Sequence, residues 1–472
     1  MRAEPSRAFA FGTLVATLVF FCACSKKSDP TLFPAGSPMA SPVRFEYAVY
    51  MIPVHRKDPS VALSQALKSY PGLKVVGEIP KEPHEMTVSA RTENDVQTKY
   101  APPDLESLEL FGPSLSPAQG QALQRSKEVF IVEFAHPKED AWIALRAANS
   151  LVEEIARTTG GLVWDEETRE VFTPEAWHKK RVASWIGLIP DMSTQTTTHI
   201  YPNGEFVRAI SLGMAKAGLP DVVVADFGWS DKGNVGTLIN LLSQTMAEGA
   251  ILKKPGRLNM DLRAIKNAAV RDPQLKTLGS NASGWACLTL KQAVAEEGDP
   301  NNRLMQITPD RYAGNDVHAK RDRMLTSLFG ATDSVNYVQH DVELLEASRK
   351  AVAKLPELQK AFNAGLQPGE FIQLKAPFAT PEGGTEWMWV EVSHWEGNRV
   401  KGLLENDPVD ATDLHAGQSV EIRAEEVFDY IRQYPDNRRE GNTTGEIIEK
   451  MNSTDTVSKD TTNRKSETCD AD

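Results

Sequence analysis

Chemistry could enter this chain at a handful of places. Gly228-Trp229-Ser230-Asp231-Lys232-Gly233 lies between a strand-like run, Asp221 to Phe227, and a helical one, Val235 to Ala247. A glycine-bearing loop that leads into a helix presents backbone N–H groups to an anion. This one lacks the Gly-Lys-Ser/Thr ending of a phosphate loop and is one residue too long for a nucleophile elbow, so ordinary turn chemistry is expected. His318 and Asp322 stand four apart on one face of a predicted helix, as a metal pair would. Their neighbours Lys320, Arg321 and Arg323 favour a solvated, ion-paired helix instead. His84-Glu85 has no second histidine four residues on, and His55, His136, His178, His199, His340, His394 and His415 are scattered singly. No metal and no other cofactor is expected. Asp165-Glu166-Glu167, and Glu405 with Asp407 and Asp410, could do acid–base work only if burial or mutual repulsion separated their pKa values. Asp165 to Glu170 reads as a solvated turn. In Trp387-Met388-Trp389-Val390-Glu391-Val392, a period of two sets Trp387, Trp389 and Glu391 on one face and Met388, Val390 and Val392 on the other. Aromatic area beside a charge makes Trp387, Trp389 and Glu391 the candidate ligand or partner surface, although an inward-facing tryptophan pair is the favoured reading.

One thiol has a chemistry of its own. Arg2 and Arg7 precede an apolar run from Phe9 to Phe21, and Ala23-Cys24 is followed by Ser25, Lys26 and Lys27, the order of a secretory signal. Phe21-Cys22-Ala23-Cys24 resembles the bacterial lipobox, with Phe where Leu or Val is commoner. The resemblance implies removal of residues 1–23 and acylation of Cys24. The run is shorter than the ~20 residues of a membrane span, which argues against a retained helix. Phe20 and Phe21 argue against a plain secretory cut, which prefers small residues. Ser25, rather than aspartate, after the cysteine points to an outer membrane, with the body facing the periplasm.

Composition fits an exported soluble body: 41% apolar and 25% charged residues. The net charge is −12, and removal of Arg2, Arg7 and Glu4 with the signal makes it one unit more negative. Such a balance argues against nucleic acid and against electrostatic docking on anionic lipid. After the cut roughly 450 residues remain, enough for two or three domains at ~100–200 each. Cys287, in Trp285-Ala286-Cys287-Leu288, reads as a small buried hydrophobe, and a bridge to Cys469 in the polar tail is not expected.

The elements that would position these residues follow from pattern. Residues 24–43 read as a flexible tether. An α/β domain over 44–252 is expected to begin with a strand-helix-strand unit: Tyr47 to Val54, a helix after Asp58-Pro59, and Leu73 to Ile79. A second unit has a strand at Glu128 to Ala135, a helix at Lys138 to Arg157 stopped by Gly160-Gly161, and a strand from Leu162. Thr173-Pro174-Glu175 opens a further helix. Residues 253–366 read as a mixed, largely helical connecting region, with helices at Asp316 to Phe329 and Asp341 to Phe362, the latter broken at Pro356. Residues 367–435 read as a small, mainly antiparallel β domain and 436–472 as a disordered polar tail. The fold class is therefore α+β: a layered α/β domain with a mixed sheet, plus a C-terminal antiparallel module.

That module resembles the bacterial family called domain of unknown function 2314 (DUF2314). The likeness rests on Phe371 and Lys375-Ala376-Pro377-Phe378; on Glu386-Trp387-Met388-Trp389-Val390-Glu391-Val392; on Gly402 with Asn406-Asp407-Pro408; on Leu414 and Gly417; and on Val427, Asp429 and Tyr430. Tyr430 replaces the family's usual tryptophan, and Gly441-Asn442-Thr443-Thr444 follows its closing motif loosely. The resemblance implies a relative and no activity. The expected protein is thus a cell-envelope lipoprotein with a binding or structural role, a membrane contact through its lipid anchor and an envelope protein as partner. An envelope hydrolase with unidentified catalytic residues is the alternative.

Overall fold

The computed structural model describes residues 31–452 apart from 53–56, 280–281, 331–341 and 382–384. Cys24, the predicted signal, His55, His340, Cys469 and the end of the tail lie outside the described residues. Three six-stranded sheets, two of them mixed and the third all-antiparallel, make the α+β fold.

The first sheet contains β1 (Val43–Tyr50), β2 (Lys74–Val75), β3 (Thr87–Glu93), β4 (Val129–His136), β5 (Leu162–Asp165) and β6 (Glu170–Phe172) in the order β2-β3-β4-β1-β5-β6. Only the β2–β3 pairing is parallel. Helices Pro59–Ala66 and Ala141–Thr159 cover one face, where Leu145, Leu151, Val152 and Ile155 meet Phe45, Tyr47 and Val49. The long helix ends, as its sequence predicts, at Gly160, whose φ of 71° is the left-handed value glycine adopts without a Cβ penalty. At Gly161 the constraint is space, because a Cβ there would lie 2.4 Å from a Val49 methyl.

The second sheet contains β7 (Thr197–Asn203), β8 (Phe206–Leu212), β9 (Asp221–Phe227), β10 (Arg257–Asp261), β11 (Trp285–Gln292) and β12 (Leu304–Thr308) in the order β10-β11-β12-β9-β8-β7. Helices Lys232–Ala247 and Val317–Phe329 pack on it. This corrects the domain division read from the sequence. The span 44–252 holds one whole sheet and half of another, and the supposed connecting region supplies the other half. Leu258, Met260, Ala286, Leu288 and Leu290 alternate inward along β10 and β11 and join one core with Val222, Val224, Leu238 and Leu242. Cys287, on β11, is disulfide-bonded, which corrects its reading as a thiol without a bridge.

The tether is corrected too from Thr31 onward. Phe33 is buried in the second core, its N–H donates to Leu290 O (2.9 Å), and Gly36 and Leu252 exchange two backbone hydrogen bonds (2.9 and 3.0 Å). The segment is a strap along the second domain.

The third sheet contains β13 (Phe371–Ala379), β14 (Thr385–Glu396), β15 (Arg399–Leu404), β16 (Ser419–Arg423), β17 (Asp429–Gln433) and β18 (Arg439–Gly441) in the order β16-β15-β14-β13-β17-β18. Met388, Val390 and Val392 face its core, joined by Leu355 and Leu358 of helix Leu355–Asn363. Pro356 sits in the first turn of that helix, where its missing N–H is harmless, so the predicted break falls just before it. The polar tail is corrected over its first part: β18 pairs with β17, and helix Thr443–Asn452 follows. Asp429 caps this helix, accepting from Thr444 N (2.9 Å) and Oγ1 (2.6 Å), and so supplies by hydrogen bonding what the segment lacks in apolar surface.

Candidate functional site

The seam between the second and third domains gathers most of the chemistry-bearing residues. The loop before helix Lys232–Ala247 does hold an anion, and the anion belongs to the chain itself. The Glu391 carboxyl accepts from Trp229 N (2.5 Å) and Ser230 N (2.9 Å). These amides begin a short turn, Trp229–Asp231, that runs directly into the helix, so the carboxyl sits at the positive end of the helix dipole. Gly228 makes room: its φ is an ordinary −79°, but a Cβ there would lie 2.7 Å from Glu391 Oε2. Glu405 lies beside this contact, accepting from Ser230 Oγ (3.1 Å) and Gln373 Nε2 (2.8 Å). Lys232 Nζ donates to Gly369 O (3.2 Å) and Ser419 N to Asp316 Oδ2 (3.0 Å), which extends the seam on both sides.

The reading of Trp387, Trp389 and Glu391 as one open surface is corrected accordingly. Glu391 is buried under the Trp229–Ser230 loop. Trp387 lies against Phe428 (centroids 4.8 Å apart), with Leu344 and Ile447 beside them, so the terminal helices cover that end. Trp389 is half-buried, with the Lys375 ammonium 5.6 Å from its ring centroid.

His318 and Asp322 are also corrected, because their helix is not a solvated one. His318 and Arg321 are buried, and Arg321 donates to Ala225 O (2.6 Å) and to Asp226 O. His318, Asp322, Asp231, Glu405, Ser230 and Arg321 line one cavity of about 90 Å³, and His318 Nδ1 has no hydrogen-bond partner among the described residues. Burial pushes Asp322 up to about 7, helped by Asp231 and Asp407, and Asp231 up to about 6. Burial likewise pushes Glu391 up to about 7 against the opposing hydrogen bonds from Ser230 and Trp229. Glu405 is raised further, by burial and then by Glu391 and Asp231. His318 is held low by burial and by Arg321. Among the described residues, no three His, Cys, Asp or Glu side chains are arranged to hold a metal ion. Asp407 and Asp410 serve the β15–β16 connection: Asp407 accepts from Ala416 N (3.0 Å), while Glu386 accepts from Val409, Asp410 and Ala411 N at 2.7–3.0 Å.

A larger cleft of about 240 Å³ opens in the same seam. Phe206, Phe227, Trp229, Phe362 and Phe371 give it an apolar wall on which Glu391 is a polar point.

A second network, missed in the sequence, joins the first domain to the second. Asp165 accepts from Lys216 Nζ (2.6 Å) and Arg181 Nη2 (2.9 Å). Arg181 also reaches Thr168 Oγ1 (3.0 Å) and Glu170 Oε2 (2.7 Å), and Lys180 pairs with Glu170 (2.6 Å). Asp165, Arg181 and Lys216 have no exposed side-chain surface. This overturns the solvated-turn reading of Asp165 to Glu170. Burial raises the Asp165 carboxyl, but Lys216 and Arg181 outweigh it and hold the group below its ordinary value. Burial pushes the Lys216 ammonium down to about 8. The one hint in the sequence was Gly213-Met214-Ala215-Lys216-Ala217-Gly218, a lysine centred in a turn with glycine at both ends, whose φ values are 103° and 69°.

Fold and seam together define a three-domain α+β protein in which a C-terminal antiparallel domain is docked by a buried carboxyl on the start of a helix in its neighbour. Residues 344–463 match the model of a family described as an uncharacterized protein conserved in bacteria (DUF2314). The match takes in helix Val342–Val352 almost entirely, ahead of the boundary at 367 read from the sequence. No curated protein and no solved structure matches the chain.

Proposed function

We propose that the protein is a bacterial cell-envelope lipoprotein, moored by acylated Cys24 to the outer membrane with its body facing the periplasm, and that it acts as a binding or structural module. Support for the mooring is the order of basic, apolar and small residues ending in Phe21-Cys22-Ala23-Cys24. Support for binding over catalysis is one observation: Glu386, Glu391, Asp407 and Asp429 of the third domain are all engaged by backbone N–H groups. A carboxyl that satisfies amides of a loop or helix start cannot turn to a substrate without leaving those donors unpaired, at a cost of about 1–3 kcal/mol each. The cleft beside Glu391 is the candidate ligand site, since an apolar wall with few polar points is what small-molecule sites share. Globomycin-sensitive palmitate labelling should mark the wild type and leave Cys24→Ala unlabelled, and label that persists in the variant contradicts the mooring.

The hydrolase reading is favoured by His318, Asp322, Asp231 and Glu405 meeting around one cavity. It requires the purified body to turn over an envelope substrate and Asp322→Asn to abolish that turnover. Turnover of this kind would displace the binding reading.

A further inference from the structure

We infer that the side of the second domain bearing Leu32, Ile251, Lys253 and Lys254 lies against the bilayer surface. The inference rests on the mooring proposed above and adds an orientation to it.

The strap makes the argument geometric. Thr31 is already fixed to the body, its carbonyl accepting from Gln292 N (2.8 Å). Cys24 is seven residues earlier, and a fully extended chain covers at most ~3.6 Å per residue, so the anchor reaches no more than about 25 Å from that point. A folded domain of ~100 residues has a radius of gyration of about 13 Å and is wider than this reach. The protein therefore cannot swing freely on its anchor, and the surface around Thr31 is the one held close to lipid.

That surface is suited to the contact. Leu32 is 48% and Ile251 63% exposed. The strap connects them. Gly36 pairs with Leu252, the neighbour of Ile251, and Phe33 O accepts from Gly256 N (2.7 Å), so the exposed Lys253 and Lys254 sit between two points fixed to the strap. Leu32 lies directly over Gly256, where a Cβ would meet its methyl at 2.7 Å. Two apolar side chains able to enter the headgroup boundary, flanked by two ammonium groups that meet lipid phosphates, match the chemistry of a bilayer surface. The local positive charge stands out in a chain of net charge −12.

The test uses the full-length lipidated protein in vesicles of phosphatidylethanolamine and phosphatidylglycerol, with a photo-crosslinking amino acid placed in turn at Leu32, Ile251, Ile186 and Val409. The last two are exposed positions on the first and third domains. Lipid adducts should form at Leu32 and Ile251 at least about tenfold more than at the other two, and Lys253→Glu with Lys254→Glu should reduce the yield at Ile251. Equal yields at all four positions, or adducts at Ile251 to protein and not to lipid, overturn the orientation. Flotation separates the two claims: if wild type and Cys24→Ala float alike, the mooring fails and the orientation with it. If only the wild type floats and Ile251 gives no lipid adduct, the orientation alone is wrong.

Discussion

Between the first and second domains, Asp165 and Glu170 face Arg181, Lys180 and Lys216, and the buried charges are matched by opposite charges. Between the second and third, Asp231, Asp322, Glu391 and Glu405 gather around Arg321 and a histidine held neutral, and burial raises all four carboxyls. Asp165 and Glu170 in the first seam are neutralised by side chains, and the carboxyls of the second by protons and amides. The difference carries a consequence for pH. Glu391 and Asp322, pushed up to about 7, and Asp231, to about 6, keep protons that carboxyls of an unfolded chain release near pH ~4. These carboxyls bind more protons folded than unfolded across that window, so their contribution is greatest below about pH 4 and is lost as the pH rises to about 8, while His318, held low, opposes them on the acid side. In the first seam the Asp165 ion pairs run the other way and oppose Glu167 and Asp221, which burial pushes up to about 8 and about 6. Asp165, held below its ordinary value, contributes stability that is present above about pH 4 and is lost as pH falls through its folded pKa. Lys216, brought down to about 8, binds fewer protons folded than unfolded up to about pH 10.4, so stability there rises with pH.

The largest effect is expected of Asp165→Asn, which strands Lys216 as a buried cation and leaves Arg181 only Glu170. Urea unfolding should show a loss of about 3–5 kcal/mol, the cost of splitting a buried ion pair. Next in size is Gly417→Ala in the second seam. Gly417 has a φ of +75° and a Cβ there would lie 2.5 Å from His318 O, so backbone must move; a loss of about 2–3 kcal/mol is expected by the same measurement. Gly228→Ala should cost less, about 1–2 kcal/mol, because the clash falls on the Glu391 carboxyl and displaces it from two amides. Glu391→Gln has the smallest effect on stability, about 1 kcal/mol near pH 5, since its one amide oxygen still accepts from one backbone N–H while its NH2 group leaves the other unpaired. Its signature is the slope: stability measured between pH 5 and about 8 should fall less steeply than in the wild type.

The sequence conveyed what is local. Asp58-Pro59, Thr173-Pro174 and Gly160 set helix ends where expected, with Asp58 accepting from Ser60 N and Thr173 from Ala176 N. Alternation along Trp387 to Val392 separated the two faces of β14 without deciding between them, and Met388, Val390 and Val392 are the core one. What depends on distant chain stayed hidden. β9 pairs in parallel with β12, some eighty residues away, so no local pattern told where the second domain ended. Asp165 to Glu170 looked solvated because its cationic partners, Arg181 and Lys216, come from other elements. The Gly228 to Gly233 loop was legible as an anion cradle but its anion, Glu391, lies 162 residues further on. The signal in hand was that loop and an acidic residue on a tryptophan-bearing strand, with nothing in one dimension to join them.

The most direct measurement is amide hydrogen exchange at about pH 5.5 and pH 8, corrected for intrinsic rates, on peptides spanning 226–234 and 388–406 in one seam and 162–171 and 213–219 in the other. Protection of the first pair should fall at the higher pH, and by more than that of the second, where Asp165 and Lys216 offset Glu167 and Asp221. Equal protection of 226–234 at both values, or a loss confined to 162–171 and 213–219, would contradict the account of how the third domain is held.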